Sequence, residues 1–415
     1  MTKAEIITIG TEIVLGQIVD TNTPYIARKL SERGIQVVFQ TSVGDDRESL
    51  RSALGTARNR ANLIITTGGL GPTANDITRE VVSEFLDIPL VQDKDAFVRI
   101  QKYFEWQHRN VPDAQMKQTL IPEGTLAIHN DHGTATGFAL NCGDAEIVCL
   151  PGVPREMQLM LNKYLEMYTK KHTLEGSCTL SRDLHAFGVS EPNVNSKVKA
   201  CTGGEEAIKA MTLVHDGIVT INIRATATTR ESAIKLLDRI VQDMRKAFGN
   251  AVFGMGDETL ESAVYMLLEK THKTIAVAES CTGGLVSDKL TNIPGISEYF
   301  LEGVVAYSNK AKVDILCVPE ELIAKHGAVT PQVARAMAEG VKKRSLSDIG
   351  IGITGIAGPT GATQEKPVGL VYIAVVVDDV VEVKECRFRG SRIDIKTFSA
   401  NTALNMVRLK LADNC

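Results

Sequence analysis

Residues able to act as nucleophiles occur together in one short stretch, residues 278–284 (AESCTGG). The stretch follows the apolar run 274–277, which predicts a buried strand, and leads into residues 285–290, which predict the start of a helix. A hydroxyl at a strand-to-helix turn between small residues can be exposed above a sheet as a nucleophile. An ordinary glycine-rich βα turn fits this stretch equally well, so the rest of the chain must decide.

The composition is that of a globular protein with several domains. The chain has 415 residues, of which 44% are hydrophobic, and a net charge of −4, and this length predicts two or three domains. The mildly negative net charge does not indicate a basic surface that would attract nucleic acid, so we expect no direct nucleic-acid binding. Eight scattered cysteines, no apolar leader and no membrane-length apolar run predict a cytoplasmic protein without membrane association.

Strands and helices alternate through residues 1–170, which we predict to form the first domain. The pattern favours a doubly wound α/β fold with a parallel sheet, with strands at 4–10, 36–41, 62–67 and 147–150. The strand at 62–67 leads into a glycine-rich loop, residues 68–73 (GGLGPT), ahead of a helix. Such a loop admits an anion to free backbone N–H groups, although its glycines also suit a simple tight turn. Asp76 is a helix cap or a metal or ribose contact.

The remaining chain predicts two further domains. Residues 171–250 predict a small α+β domain with an alternating strand at 217–226 and a helix at 230–247. Gly249, Gly254 and Gly256 predict a linker. Residues 257–415 predict a three-layer α/β/α domain, with a hairpin turning at residues 378–379 and a last helix from about 394 to 411.

Several motifs, in one order, resemble a single family. In the third domain, the motifs that resemble a nicotinamide-nucleotide amidohydrolase (PncC-type) domain lie at 278–284, 303–310, 327–330, 354–359 and 366–369. In the first domain, those that resemble a MoaB/MogA-like, molybdopterin-binding-type domain lie at 9–12, 16–18, 68–73 and 151–157. With a small domain between them, this order resembles the competence/damage-inducible CinA family over essentially the whole chain.

The resemblance implies that the C-terminal domain deamidates nicotinamide mononucleotide (NMN) to nicotinic acid mononucleotide, with no cofactor. Ser280 matches the nucleophile, and Tyr307 and Lys310 match its activating partners. Thr354 matches a substrate-site residue. Arg392 roughly matches a family arginine, although Ser391 stands where the family more often has Asp.

Hydrolysis of a carboxamide requires a nucleophile, a base and a site for the oxyanion. No histidine is a convincing partner for Ser280, so Lys310 is the candidate base, in the manner of Ser–Lys enzymes. We expect Lys310 in the first turn of a helix, where the helix dipole lowers the pKa of a lysine. Tyr307 would pass the proton between Lys310 and Ser280.

Backbone N–H groups are the predicted oxyanion donors, with two candidate positions. One is near Gly283 and Gly284, and the other is near Thr354 and Gly355. We expect Arg392, or hydroxyls of the same loops, to bind the nucleotide phosphate.

Cys281 is the rival nucleophile to Ser280. A thiol at the start of a helix would be acidified. A cysteine amidase normally has a histidine or acidic partner, and the sequence offers none nearby, so Ser280 is favoured.

The resemblance implies a second activity for the first domain in some members, a metal-dependent ADP-ribose pyrophosphatase. The predicted nucleotide site comprises Glu12, Gly68, Gly69, Gly71, Thr73 and Asp76, with Asp76 as the candidate ligand of a divalent metal. Family members with this activity usually have two adjacent acids after Gly-Pro-Thr, whereas Asn75 precedes Asp76 here. The loss of one carboxylate weakens a metal site.

Three hypotheses therefore stand. The first is an NMN amidase, the second a nucleotide pyrophosphatase, and the third a non-catalytic nucleotide-binding protein linked to competence or DNA damage. The expected partners are small nucleotides, NMN and ADP-ribose, and a second copy of the chain in a homodimer.

Overall fold

The structure, a computed structural model, describes residues 2–171 and 178–412. The chain divides into two compact units. The first comprises Met1–Ser181, Glu206–Ile208 and Arg224–Asp238, and the second comprises the remainder. Over the described ranges, no helix has both the length and the apolar character needed to cross a membrane.

The N-terminal sheet has six strands in the order β2-β1-β3-β8-β7-β6. The strands of this region are β1 (Lys3–Ile9), β2 (Gln36–Val43), β3 (Leu63–Thr67), β4 (Leu90–Gln92), β5 (Leu120–Pro122), β6 (Leu126–Ile128), β7 (Gly137–Cys142) and β8 (Ala145–Leu150). The helices are α1 (Thr11–Val14), α2 (Asn22–Ser31), α3 (Arg47–Arg58), α4 (Thr78–Leu86), α5 (Lys94–Trp106) and α6 (Pro154–Lys171). Strands β2, β1, β3 and β8 are parallel, and β7 and β6 add an antiparallel edge.

Helices cover both faces of this sheet because successive strand residues point to opposite sides. Ile6 and Ile65 pack with the buried faces of α2 and α6. Ile7 and Ile64 pack with the buried faces of α3 and α4. The predicted doubly wound α/β fold is confirmed, and the antiparallel edge was not predicted.

The middle region is an α+β arrangement, as predicted. Its sheet has the order β10-β11-β9-β12. Its elements are β9 (Cys178–Phe187), α7 (Glu191–Thr202), β10 (Ile208–His215), β11 (Ile218–Ala227), α8 (Arg230–Phe248) and β12 (Val252–Met255). Strand β12 occupies the predicted linker. Gly254 pairs there with His185 of β9, so this glycine belongs to a sheet edge and the linker prediction was wrong.

The C-terminal sheet has five strands in the order β14-β13-β15-β16-β17. Its strands are β13 (Ile275–Glu279), β14 (Phe300–Val305), β15 (Ile349–Gly355), β16 (Leu370–Val377) and β17 (Val380–Arg387). Its helices are α9 (Leu260–Thr271), α10 (Leu285–Thr291), α11 (Asn309–Leu316), α12 (Glu320–His326), α13 (Pro331–Ser345) and α14 (Arg392–Ala412).

This domain has the three predicted layers. Residues of α9, α10 and α14 form one core with Val277 and Ile351. Residues of α11 and α13 form another with Ala276 and Ala278 on the opposite face. Gly352 lets α13 approach closely, because a Cβ at this position would lie 2.2 Å from the Ala334 carbonyl oxygen.

Strands β14, β13 and β15 are parallel, so their carboxyl ends meet at one edge of the sheet. The loops that follow them therefore start side by side. In open α/β sheets this edge is where ligands bind.

Candidate active site

The Ser280 turn is fixed at both of its ends. The Ser280 N–H donates to the Ile353 carbonyl oxygen at 3.0 Å, which ties the turn to β15. The fully buried Glu279 carboxylate accepts hydrogen bonds from the N–H groups of Gly284 at 3.0 Å, Val286 at 3.1 Å and Ser287 at 2.9 Å. These bonds hold the start of α10 against the end of β13.

Lys312 is the lysine that reaches the Ser280 hydroxyl. Its Nζ lies 3.0 Å from Ser280 Oγ, and it donates to the carbonyl oxygens of Ala306 at 2.9 Å and Tyr307 at 3.2 Å. The residue is 1% exposed. Burial lowers the pKa of the Lys312 ammonium.

The structure corrects the assignment of Lys310 as the base. The Lys310 side chain is 84% exposed, and its Nζ forms an ion pair with Asp314 at 2.5 Å. The hydrogen bond to Asp314 raises the pKa of Lys310, which is the opposite of what a base needs. Two positions along a helix correspond to a rotation of about 200°, so Lys310 points to solvent when Lys312 points to the sheet.

A sequence signal for Lys312 existed. Lys312 and Leu316 are the two buried residues of α11, and they are four positions apart. A lysine on the apolar stripe of a short helix is unusual, because burial disfavours its charge.

A proton relay through Tyr307 is not required in this arrangement. Its hydroxyl accepts a hydrogen bond from Arg392 Nη2 at 2.7 Å, and its side chain is exposed. Arg392 Nη1 also donates to the Gly358 carbonyl oxygen at 2.6 Å. Lys312 contacts Ser280 directly, so no relay through Tyr307 is needed between them. Tyr307 instead contacts Arg392 at the rim of the site, where Arg392 links two loops.

The N–H groups of Gly283 and Gly284 are already used within the turn. The Gly283 N–H donates to the Ser280 carbonyl oxygen at 3.1 Å. The Gly284 N–H donates to Glu279, as described above. The predicted oxyanion role of these two groups is therefore wrong for this arrangement, although both glycines shape the turn through positive φ angles of 63° and 95°.

Thr354 and Gly355 lie at the end of β15, next to the Ser280 turn. The Thr354 hydroxyl donates to the Ala328 carbonyl oxygen at 2.8 Å, and the residue is 1% exposed. Its hydroxyl thus holds the segment that begins α13. A direct contact of either residue with substrate stays a prediction.

The rival nucleophile Cys281 is in an unsuitable environment. Its side chain packs in the apolar core with α9 and α14. Burial raises the pKa of the Cys281 thiol to about 12. The thiolate is the reactive form of cysteine, so the structure favours Ser280.

In the N-terminal domain, the predicted nucleotide-site residues converge. A cleft of about 480 Å³ at the ends of β1, β3 and β8 is lined by all six of them, Glu12, Gly68, Gly69, Gly71, Thr73 and Asp76. Asp45, Gln118 and Glu156, which the sequence did not single out, line it as well. A cleft of this size accommodates a nucleotide.

The cleft does not present a formed metal site. The Asp76 carboxylate accepts hydrogen bonds from the Gly71 N–H at 2.8 Å and from the Thr73 N–H and hydroxyl at 2.8 and 2.6 Å. Nowhere in residues 2–171 and 178–412 do three His, Cys, Asp or Glu side chains cluster to hold a metal. Asp76 therefore fits the role of a loop brace, and the residues present do not fit the metal expected there.

We predict that Cys281 resists alkylation in the folded protein. At pH 8, a thiol with a pKa of about 12 is thiolate in about one molecule in 10,000. Cys317 is exposed and serves as the internal control. Iodoacetamide treatment followed by peptide mass spectrometry should show modification of Cys317 well before Cys281. Early modification of Cys281 would return it to consideration as the nucleophile.

Three family descriptions match this chain in succession. "Probable molybdopterin binding domain" matches residues 5–171, "Damage-inducible protein CinA KH domain" matches residues 181–254, and "CinA C-terminal domain" matches residues 257–411. The three matches follow the order of the domains in the chain.

Whole-length relatives agree with these matches. A CinA-like protein of Dictyoglomus thermophilum is 41% identical over 406 residues, covering 98% of each chain. A CinA-like protein of Kosmotoga olearia is 41% identical over 409 residues, covering 99% of each chain. The crystal structure of competence/damage inducible protein CihA from Agrobacterium tumefaciens is 38% identical and covers 37% of this chain and 93% of that chain, with a TM-score of 0.36. The identity to relatives along the full length shows that this chain belongs to the CinA family.

Proposed function

We propose that the C-terminal domain is an amidase that hydrolyses the carboxamide of NMN, with Ser280 as nucleophile and Lys312 as general base. The observation that carries this proposal is the 3.0 Å contact between Lys312 Nζ and Ser280 Oγ. The pKa of Lys312 is lowered by burial, and a base needs a pKa close to the operating pH.

The contacts of Lys312 Nζ satisfy the three donors of the ammonium and also accommodate the neutral amine. A neutral amine has two N–H donors and one lone pair. The carbonyl oxygens of Ala306 and Tyr307 accept from the two N–H groups. The lone pair is then directed at the Ser280 hydroxyl, which donates its proton to Nζ as Oγ attacks.

The first half of the reaction forms an acyl-enzyme. Ser280 Oγ bonds to the carboxamide carbon, and its proton passes to Lys312 Nζ. The resulting tetrahedral intermediate collapses when the C–N bond breaks, and Lys312 returns the proton to the departing nitrogen, which leaves as ammonia. The product of this half is an ester between Ser280 and the pyridine carboxylate.

The second half regenerates the enzyme. Water attacks the ester carbon while Lys312 accepts its proton. The C–O bond to Ser280 then breaks, and Lys312 protonates Oγ. Nicotinic acid mononucleotide leaves, and every proton is accounted for by the Ser280–Lys312 pair without a cofactor.

The oxyanion requires donors other than Gly283 and Gly284. The N–H of Cys281, the residue after the nucleophile, has no backbone acceptor among the described residues and contacts only its own thiol. In nucleophile turns of this kind, the N–H after the nucleophile is an oxyanion donor. We assign that role to Cys281, whose thiol takes no part.

NMN is favoured as substrate by two considerations. The motifs of this domain resemble those of nicotinamide-nucleotide amidohydrolases. The rim of the site also carries the guanidinium of Arg392, held by the Gly358 carbonyl oxygen and the Tyr307 hydroxyl. A cation at the rim suits a substrate with a phosphate group.

We predict that Ser280→Ala and Lys312→Met each lower kcat for ammonia release from NMN at least about 1,000-fold, because nucleophile and base act as a unit. Ammonia is measured with a coupled assay, and folding of each variant is checked by its thermal unfolding. Lys310→Met is the matched control and should stay within about twofold of the parent protein, because Lys310 forms only an exposed ion pair.

The same experiment distinguishes the competing assignments. If Lys310→Met loses activity and Lys312→Met keeps it, Lys310 is the base, as the sequence predicted. Full activity of Ser280→Ala would exclude the proposed nucleophile. Activity in the presence of a chelator should be unchanged, because every proposed step uses protein groups.

We also predict an acidic limb in the pH profile of kcat/KM. Only the neutral form of Lys312 accepts a proton. kcat/KM should therefore fall as the pH is lowered through the pKa of Lys312 and should be higher at pH values above that pKa. Burial places this pKa below the ordinary value of 10.5. The measurement is the initial rate with NMN over the pH range in which the protein stays folded. A limb centred at or above the ordinary value would contradict the role of Lys312.

We propose, as a second function, that the N-terminal cleft binds a nucleotide. The supporting observation is the convergence of six predicted residues on one cleft. We predict that Asp76→Ala weakens ADP-ribose binding at least about tenfold, because three hydrogen bonds that shape the loop are lost.

The measurement for this second function is calorimetric titration of ADP-ribose with and without Mg²⁺. Asp144→Ala, at an exposed position outside the cleft, is the control. Absence of binding under both conditions would refute the proposal, and binding that requires Mg²⁺ would support the metal expected from the sequence.

A further inference from the structure

A second cation lies beside the nucleophile turn and has no role in the amide chemistry. Lys396 is half-buried, and a Cβ placed on Gly283 would lie 3.6 Å from its Nζ. Gly283 closes the turn, because its N–H donates to the Ser280 carbonyl oxygen. The Lys396 ammonium therefore stands next to the turn that presents Ser280.

Lys396 has no hydrogen bond or ion pair within the part of the chain that the structure describes. Other lysines of this domain do have anionic partners, for example Lys410 with Glu382 at 2.9 Å and Lys310 with Asp314. The nearest acid in sequence, Asp394, accepts a hydrogen bond from the Ser391 N–H at 2.7 Å and so serves the start of α14. A half-buried ammonium without a counter-charge favours an anion from outside.

Arg392 and Lys396 lie on the same face of α14, because residues four positions apart are neighbours on a helix. The two cations differ in how they are held. The Arg392 guanidinium donates to Gly358 and Tyr307, which fixes it as a link between loops. The Lys396 ammonium keeps all three of its N–H donors available.

We propose that Lys396 binds the phosphate monoester of the substrate and makes the domain select nucleotides over nucleosides. This inference rests on the proposed amidase function. A phosphate monoester is a compact dianion, and an ammonium with free donors binds it as a point charge. The carboxamide at Ser280 and the phosphate are separated by a ribose, so the phosphate cation must lie to one side of the nucleophile. Lys396, beside Gly283, meets this requirement.

The test compares NMN with nicotinamide riboside, which has the same carboxamide and lacks the phosphate. Lys396→Met should raise KM for NMN about 10- to 100-fold, the range expected for a lost charge-assisted hydrogen bond, with kcat nearly unchanged. kcat/KM for nicotinamide riboside should not change. Lys396→Arg, which keeps the charge, should retain more NMN activity than Lys396→Met. Lys410→Met, on the same helix, is the control and should match the parent protein for both substrates.

Two results would overturn the assignment of Lys396. An equal loss with NMN and nicotinamide riboside would indicate a structural role. Unchanged KM for NMN in Lys396→Met would show that the ammonium does not contact the phosphate.

A calorimetric titration with ribose 5-phosphate separates this inference from the proposed function. If the parent protein fails to hydrolyse NMN but binds ribose 5-phosphate, and Lys396→Met does not bind it, the phosphate site stands and the amidase proposal fails. The opposite result has two forms. In both, the parent protein hydrolyses NMN, and the parent and Lys396→Met either bind ribose 5-phosphate equally or both fail to bind it. In that case the amidase proposal stands and the inference on Lys396 fails.

Discussion

The burial of one lysine against the edge of the C-terminal sheet is the constraint on which the candidate active site depends. An ammonium with an ordinary pKa costs about 4.6 kcal/mol to neutralise at pH 7. Lys312 is 1% exposed, and desolvation lowers its pKa, so part of this cost is already offset by folding. Two backbone carbonyl oxygens accept from its N–H groups and direct the remaining position of Nζ at Ser280. The environment of Lys312 thus turns an ordinary cation into a candidate base.

The sheet explains how this contact is maintained. Parallel pairing of β13 with β14 and β15 aligns the ends of the three strands. The loop after β13 supplies Ser280, and the residues after β14 supply the carbonyl groups that hold Lys312. The Glu279 carboxylate fixes the turn from inside the fold, and Arg392 links the loops at the rim. A buried anion and an exposed cation therefore both restrain the site.

The N-terminal cleft is built on a similar principle with different residues. Its glycine-rich loop also follows a parallel strand, and it is braced by Asp76 from within. Arg79, fully buried, donates to the Leu70 carbonyl oxygen at 2.7 Å, and Lys117 donates to the Asp76 carbonyl oxygen at 2.6 Å. Arg79 and Lys117 brace the loop of this cleft, whereas Lys396 at the C-terminal site has no partner within residues 2–171 and 178–412. The homodimer and the lack of direct nucleic-acid binding stay predictions from the sequence.

The amino-acid sequence by itself determined the family, the α/β fold class, the strand-end loops and the candidate nucleophile Ser280. These follow from local periodicity and contiguous motifs, which are properties of neighbouring residues. Only the tertiary structure decided between Lys310 and Lys312, because the two side chains point in opposite directions from one helix and the choice depends on how that helix packs on the sheet. The same holds for β12, whose pairing with β9 joins segments about 70 residues apart. It holds also for Cys281, whose thiol packs in a core to which α14 contributes from more than 100 residues away.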